Sequence, residues 1–553
     1  MPELPSAVLD RPLPETPDLH GAFPRLSDGQ IQSLQRFGER RPTVRGEVLF
    51  HEGEHIEQFF VVLSGQVVVL LDADVAPKVI RVHGPGRFLG ELSLLTGQVS
   101  LVTAMVNVPG EVLAVGIDRL RALVLEDAEL GDLILRAFLM RRSLLISEGS
   151  GVRIIGSRFS PDSHRLRAFC ARNRLPYKFL DIDQDSAADA VLQQFGVPTR
   201  DLPVVAVPGG RLLRNPSNAE LAAQMGLHAP QAKSQLCDVV VVGAGPAGLA
   251  AAVYGASEGL DTVVLDAVAS GGQAAASSRI ENYLGFPAGI SGGELAERAA
   301  IQAAKFGARI TVPGEAVALT LDSGHYRLRL DGVTSLSTRT VVLATGARYR
   351  KLDVPRLEEF ELTSVYYAAT RFEALECGTD PVAVVGGGNS AGQAAVFLAQ
   401  QVPQVWLLIR HDDLGKDMSR YLVDQVEANP RITVRRHTEV RELLGASTLE
   451  ALVVEDNRTG QRTTLAVRAL FVFIGATPCT SWLAGSVHLD EKGYVLTGDR
   501  AAQGDGDGGP LFLETSRRGV FAVGDVRSGS VKRVASAVGE GAMAVRLLSE
   551  RLA

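Results

Sequence analysis

Between residues 25 and 118 the chain alternates short apolar runs with glycines. FFVVL and QVVVLL are bracketed by Gly46, Gly53, Gly65, Gly86 and Gly90, and strands punctuated at such intervals predict an antiparallel sandwich or barrel. The spacing changes at Asp118, where LRALVLEDAELGDLILRAFLMRRSLLI carries apolar positions at helical intervals to Ile146. From Val152 strand and helix patterns alternate: VRIIG, a helix opened by Ser160-Pro161, YKFLDID, DLPVVAV, a Gly209-Gly210 turn and a helix from Asn218. That order predicts a small α/β sandwich over 151–228, with a linker at 229–236. A larger α/β unit follows from Cys237 to the end.

Composition narrows the class. With 46% hydrophobic and 22% charged residues over 553 positions, the chain reads as three or four ordinary globular domains. A net charge of −7 lacks the basic face that nucleic-acid phosphates require. No apolar run approaches the ~20 residues needed to span a bilayer. Residues 1–24 are Pro-rich and acidic, which predicts a disordered leader rather than a signal peptide. The four cysteines, Cys170, Cys237, Cys377 and Cys479, form no C-x-x-C. Such sparse use predicts a reducing cytoplasm, with neither a disulfide framework nor a metal site.

Two segments carry candidate chemistry. In CDVVVVGAGPAGLAAAVYGASEGLDTVVLD an apolar strand precedes Gly243, Gly245 and Gly248, a helix follows, and Asp266 closes the next strand. Glycines there let a pyrophosphate approach a helix N-terminus, and the acid is placed for an adenosine ribose. The second segment, PVAVVGGGNSAGQAAVFLAQQVPQVWLLIRHDDL, puts Gly386, Gly388 and Ala391 at the three small positions, with Asn389 and Ser390 opening the helix. Its second strand ends at Arg410-His411 instead of an acid, which favours the 2′-phosphate of NADPH, NADH being the alternative donor.

Over roughly 237–553 the sequence resembles the low-molecular-weight thioredoxin reductase family. The match rests on GAGPAGL, on Gly271-Gly272-Gln273 followed by ENYLGFP, on VVLATGA at 341–347 and on VFAVGDV at 520–526. The resemblance implies two Rossmann-like domains: an FAD domain in two parts, 237–352 and 481–553, and an NAD(P) domain inserted at 353–480. It implies FAD contacts from Gly272, Gln273, Asn282, Thr345, Gly346, Gly524, Asp525 and Arg533, and it implies a homodimer. The family's redox Cys-x-x-Cys falls on Ala368, Ala369, Thr370 and Arg371 here. Neither Ala368 nor Arg371 can form a mixed disulfide, so the usual relay is broken. Cys377, nearby, reads as a small packed residue.

Residues 151–228 resemble a thioredoxin or glutaredoxin fold, with Pro203 in the place of the family's cis-proline. Ser160 and Ser163 replace its redox cysteines, and Cys170 lies farther into the same helix. Residues 25–150 resemble a cyclic-nucleotide-binding β-roll with helices, through RGEVLFHEGEHIEQFFVVLSGQVVV and RFLGELSLLTG. The resemblance gives Gly90, Glu91 and Leu92 to the ligand, but the arginine expected to neutralise the cyclic phosphate is Ser100. Losing that charge costs about 1.5–3 kcal/mol of binding. A docking or dimerisation role is the plainer reading of this module, and cyclic-nucleotide binding the alternative.

These readings converge on an NADPH-dependent flavoprotein whose electrons leave the flavin directly for an acceptor the sequence does not name. A ferredoxin-like carrier, a disulfide on a partner, dioxygen or a quinone all fit. A flavin-binding sensor or scaffold with little turnover is the alternative from another class.

Overall fold

The computed structural model describes residues 12–552 apart from 72–76, 91–96, 149–150, 186–191, 193–197, 199–200, 228–235, 278–279, 281, 323, 332–334, 362, 368, 370–373, 375–376, 379, 447, 484 and 503–508. It divides into two compact units, one of residues Met1–Ser157, Leu166–Gln231 and Ile301–Pro313, the other of Arg158–Arg165, Ala232–Ala300 and Gly314–Ala553.

In the first unit the two long strands Gln58–Leu71 and Thr103–Gly116 pair antiparallel. Gly38–Thr43 and Val48–Phe50 pair with the second of them, and Lys78–His83 and Phe88–Leu89 with the first. Side chains alternate across a strand, so Gln58–Leu71 feeds two cores. Phe60, Val62 and Val67 enter one, while Phe59 and Val61 pack with the helices Ile117–Glu126 and Ala128–Glu148 in the other. Each such side chain removed from water contributes about 1.5–3 kcal/mol.

The leader expected over 1–24 is structured from residue 12. Leu13 exchanges hydrogen bonds with the buried Gln66 side chain at 2.9 and 2.8 Å. Thr16 pairs with Val82 through its N–H (3.1 Å) and its hydroxyl (2.8 Å), and Leu26 N–H reaches Gly86 O at 2.8 Å. Polar composition pointed to disorder, but these bonds supply partners 50 and more residues away in the chain. Residues 1–11 lie outside the described residues.

The small α/β module has a four-stranded sheet in which Val152–Gly156 lies between Tyr177–Asp181, parallel, and Val204–Ala206, antiparallel, with Leu212–Arg214 at the edge. Its last helix, Asn218–Gln224, opens on a capping box between Ser217 and Glu220. Val152, Ile154, Phe169 and Met225 of this module share one hydrophobic core with Phe60 and Val62 of the long strand. A boundary at 150 to 151 therefore cuts through a single core.

In the second unit Leu236–Val242 runs parallel between Thr262–Leu265 and Ser335–Leu343. Ser335–Leu343 pairs at its start with His325–Leu330 and at its end with Val520–Ala522. The distant C-terminal strand thus completes the sheet. An antiparallel pair, Ala347–Tyr349 with Ala476–Pro478, brackets a second sheet in which Val382–Val385 lies parallel between Val405–Leu408 and Ala469–Val472. The parallel strands Leu236–Val242, Thr262–Leu265, Val382–Val385 and Ala469–Val472 are rich in Val, Leu and Ala, as expected of strands covered on both faces, whereas His325–Leu330 alternates exposed and buried.

Candidate functional site

The first glycine turn follows Leu236–Val242. Gly243 has φ +107, and a Cβ there would stand 2.2 Å from Ala344 O. A Cβ on Gly248 would stand 1.8 Å from Gly243 O, so only glycine lets helix Pro246–Ser257 sit this close to the turn. That helix starts at Gly245 without a side-chain cap, leaving its first amides for a ligand.

Asp266 is the organiser of this corner. Its carboxylate accepts N–H bonds from Ala244 (2.8 Å), Val268 (2.9 Å) and Ala269 (3.0 Å). Burial pushes its carboxyl above the ordinary range, against the pull of those three amides. A carboxylate has about four acceptor sites, so capacity remains for a ribose hydroxyl.

Several of the other sequence-predicted residues border the same turn. Gly271 N–H donates to Ala244 O at 2.6 Å, and Gly272 lies so near Gly245 that a Cβ would stand 3.0 Å from its Cα. The Gln273 amide donates to Ala347 O, and the Thr345 hydroxyl to Cys479 O at 2.9 Å. Gly346 has φ +66, with nothing within 4 Å of a Cβ placed on it. Gly524 N–H donates to Glu540 at 2.7 Å, and Asp525 beside it is half-buried. Burial pushes the Asp525 carboxyl up, while Lys532 draws it down. Asn282 and Arg533 are exposed and take no part in these contacts. Two backbone turns facing each other without side chains make a cradle of the kind a pyrophosphate fills, so the residues fit FAD.

The second turn repeats the plan. Gly386 has φ +139, Ala391 is buried beneath it, and helix Asn389–Leu398 starts at Gly388, again without a side-chain cap. The Asn389 side chain accepts the Ser419 N–H at 2.7 Å, and Ser390 is exposed. Arg410 is exposed, with Nε donating to His411 Nε2 at 3.1 Å, and its carbonyl accepts from Asn457 at 3.1 Å. Sequence reasoning missed the neighbours that complete this cationic end. Ile409 N–H reaches Arg435 O at 2.9 Å, His437 N–H reaches His411 O at 3.2 Å, and Arg436 Nε donates to Asp412 O at 2.9 Å. The run Arg435-Arg436-His437 at the next strand end was the available signal. These residues fit a phosphorylated dinucleotide.

The positions that replace cysteines divide. Ala368, Thr370 and Arg371 lie outside the described residues, whereas Ala369 is buried. No disulfide joins any of the four cysteines; Cys170, Cys237 and Cys377 are buried and Cys479 partly so. Burial pushes the Cys479 thiol up, although Arg348 opposes it. Burial pushes Cys170 up as well. In the small module Ser160 Oγ accepts the Ser163 N–H at 3.3 Å, Ser163 is itself fully buried, and the Leu202–Pro203 bond is cis. In the first unit Gly90 has φ +95, Glu91 and Leu92 lie outside the described residues, and Ser100 is buried. Among the described residues no group of His, Cys, Asp and Glu is arranged for a metal ion, and no helix is long and apolar enough to cross a membrane.

Comparison with known proteins agrees with this geometry. Residues 237–541 match the family model for pyridine nucleotide-disulphide oxidoreductases, and residues 40–127 that for the cyclic nucleotide-binding domain. Thioredoxin reductase of Treponema pallidum is 34% identical over 307 residues, 56% of this chain and 94% of that protein. A 34.2 kDa protein in the rubredoxin operon of Clostridium pasteurianum is 32% identical over 314 residues, 57% of this chain and 96% of that protein. Among solved structures, T. acidophilum thioredoxin reductase superposes with a TM-score of 0.53 at 29% identity, over 58% of this chain and all of that one.

Proposed function

Because this chain belongs to the pyridine nucleotide-disulphide oxidoreductase family, whose thioredoxin-reductase-like members use FAD and NADPH, we propose that it is an NADPH-dependent flavoprotein that passes electrons to an external acceptor without an internal disulfide. The observation that carries this reading is the pairing of two uncapped glycine-started helices with four cysteines that form no disulfide. Gly243, Gly245, Gly248, Asp266, Gly272, Gln273, Thr345, Gly346, Gly524 and Asp525 would hold FAD. Gly386, Gly388, Asn389, Ala391, Arg410 and His411 would hold NADPH.

When bound, FAD supplies the two-electron chemistry, taking a hydride from the nicotinamide and releasing electrons onward. The chain's own part is orientation and electrostatics. Helix amides at Gly245 and Gly388 would hold the two pyrophosphates, Asp266 would hold the adenosine ribose, and the arginines around His411 would pair with the 2′-phosphate. No cysteine pair stands between flavin and acceptor, so the acceptor must reach the flavin itself. A small redox protein, a partner disulfide or a quinone meets that requirement.

Anaerobic addition of NADPH to the purified flavoprotein tests the reading. The flavin absorbance band is expected to bleach within seconds to minutes, and to recover when the true acceptor is supplied from a set of thioredoxin, ferredoxin, small disulfides and quinones. A band that stays unbleached with both NADPH and NADH would leave only a sensor or scaffold.

A further inference from the structure

In the first unit, the loop at residues 97–102 follows the segment that resemblance to cyclic-nucleotide-binding domains gives to a ligand. Gln98, Val99, Ser100, Leu101 and Val102 are all buried, which is unusual for five consecutive loop residues. What covers them includes the small α/β module. Val99 N–H donates to Met225 O at 3.3 Å, at the C-terminal end of helix Asn218–Gln224. The next residue, Gly226, has φ +69, and a Cβ there would stand 2.8 Å from the His55 ring, 2.9 Å from Gly97 O and 3.1 Å from Val99 N. A second meeting point repeats the device, since a Cβ on Gly53 would stand 2.8 Å from Pro208 O. From helix Ala128–Glu148 the buried Arg142 joins the two sides, donating to Gln98 Oε1 at 2.9 Å and to Arg174 O at 3.1 Å.

Among the described residues, the polar groups of Ser100 are already engaged. Ser100 N–H donates to Glu54 O at 2.7 Å, and its hydroxyl donates to Val102 O at 2.7 Å while accepting the Val102 N–H at 3.3 Å. The buried Arg142 guanidinium, which touches this loop, is committed to the seam. A cyclic phosphate entering here would have to displace the Met225–Gly226 turn and break these bonds at once, leaving buried donors unpaired at about 1–3 kcal/mol each.

We propose that the small α/β module is the permanent occupant of this loop: the 97–102 loop of the roll docks the Met225–Gly226 turn of the same chain in place of a cyclic nucleotide, and the two modules open as one cooperative unit. Hydrogen exchange on the full-length flavoprotein tests this. Arg142→Gln is expected to raise exchange about tenfold in 97–102 and in 218–227 together, with the FAD-binding strands unchanged. Gly226→Ala is expected to do the same from the other side of the seam. Cyclic AMP or cyclic GMP at saturating concentration is expected to leave exchange in 97–102 unaltered. Loosening of one module without the other in both variants, or nucleotide-dependent protection of 97–102, would overturn the proposal.

Discussion

Arg410 and Glu514 show how differently two charged residues act. Arg410 is exposed at a strand end beside His411, so its charge costs little to keep and is free to meet a phosphate. Losing one charge-assisted contact costs about 1.5–3 kcal/mol, or roughly 10- to 100-fold in affinity. Arg410→Ala is therefore expected to raise the NADPH Kd by that factor and leave the NADH Kd nearly unchanged, read from flavin bleaching titrations. Equal losses for both nucleotides would show that the arginine does not read the 2′-phosphate. Glu514 is 1% exposed and fully committed. Its carboxylate accepts Arg551 Nε at 2.9 Å and Nη2 at 2.6 Å, with the Gly519 and Leu511 N–H groups at 2.7 and 2.9 Å. Burial alone would push this carboxyl up, but Arg551 and the two amides outweigh it and hold it below its ordinary value of 4.5. The stabilisation is thus complete above that ordinary value and disappears as pH falls through the lower folded one. Breaking a buried pair from one side costs about 3–5 kcal/mol. Glu514→Gln is expected to lose that much in urea unfolding of the flavin-binding unit and to flatten its acid dependence in that window. An unchanged midpoint at neutral pH would refute the assignment.

Among the elements, the strap of residues 12–26 is the one the sequence hid. Local pattern reads only neighbours, and the strap is ordered by Gln66, Val82 and Arg87, whose guanidinium donates to Thr16 O. The glycine turns were legible for the opposite reason, because Gly243 and Gly248 are constrained within six residues of each other. Arg435 and Arg436 were missed because strand pairing, not sequence spacing, brings them beside His411. Under the strap lies a group with a testable consequence. The His83 ring is fully enclosed, edge-on to Phe23 at 5.6 Å. Burial, then Arg141, Arg87 and Arg81, hold its pKa well below the ordinary 6.5. The unfolded imidazole takes up a proton below that value and the folded one does not. Stability of the first unit is therefore full above the unfolded value and falls on acidification by up to about 1.4 kcal/mol per pH unit. His83→Gln is expected to shrink the drop in urea midpoint between about pH 7.5 and pH 5.5. The same drop in the variant would assign the effect to carboxylates instead.

For the whole molecule the decisive fact is where the thiols are not. A disulfide relay needs two sulfurs about 2 Å apart when oxidised, with Cβ atoms within about 4.5 Å. The fold instead spreads its four cysteines through separate elements. Cys237 lies in the first strand of the flavin-binding sheet, Cys170 in the helix of the small module, Cys377 in the core packed on the inserted sheet, and Cys479 just after the strand Ala476–Pro478. None is in a disulfide, and only Cys479 is partly exposed. On the proposed reading, electrons that enter from NADPH would have no sulfur on which to wait, and the rate should depend on the acceptor's access to the flavin rather than on a thiol. Alkylation of the native protein with iodoacetamide is expected to leave both NADPH-driven bleaching and turnover with the true acceptor unchanged. A variant with Cys170, Cys237, Cys377 and Cys479 all replaced by alanine should behave likewise once its lower stability is allowed for, since small-residue replacement at the three buried sites costs packing and not chemistry. If turnover is lost after alkylation while bleaching survives, a thiol stands in the outlet after all. Cys479 is then the first position to examine, because its carbonyl accepts the Thr345 hydroxyl and its N–H donates to Gly346 O in the loop that borders the flavin cradle.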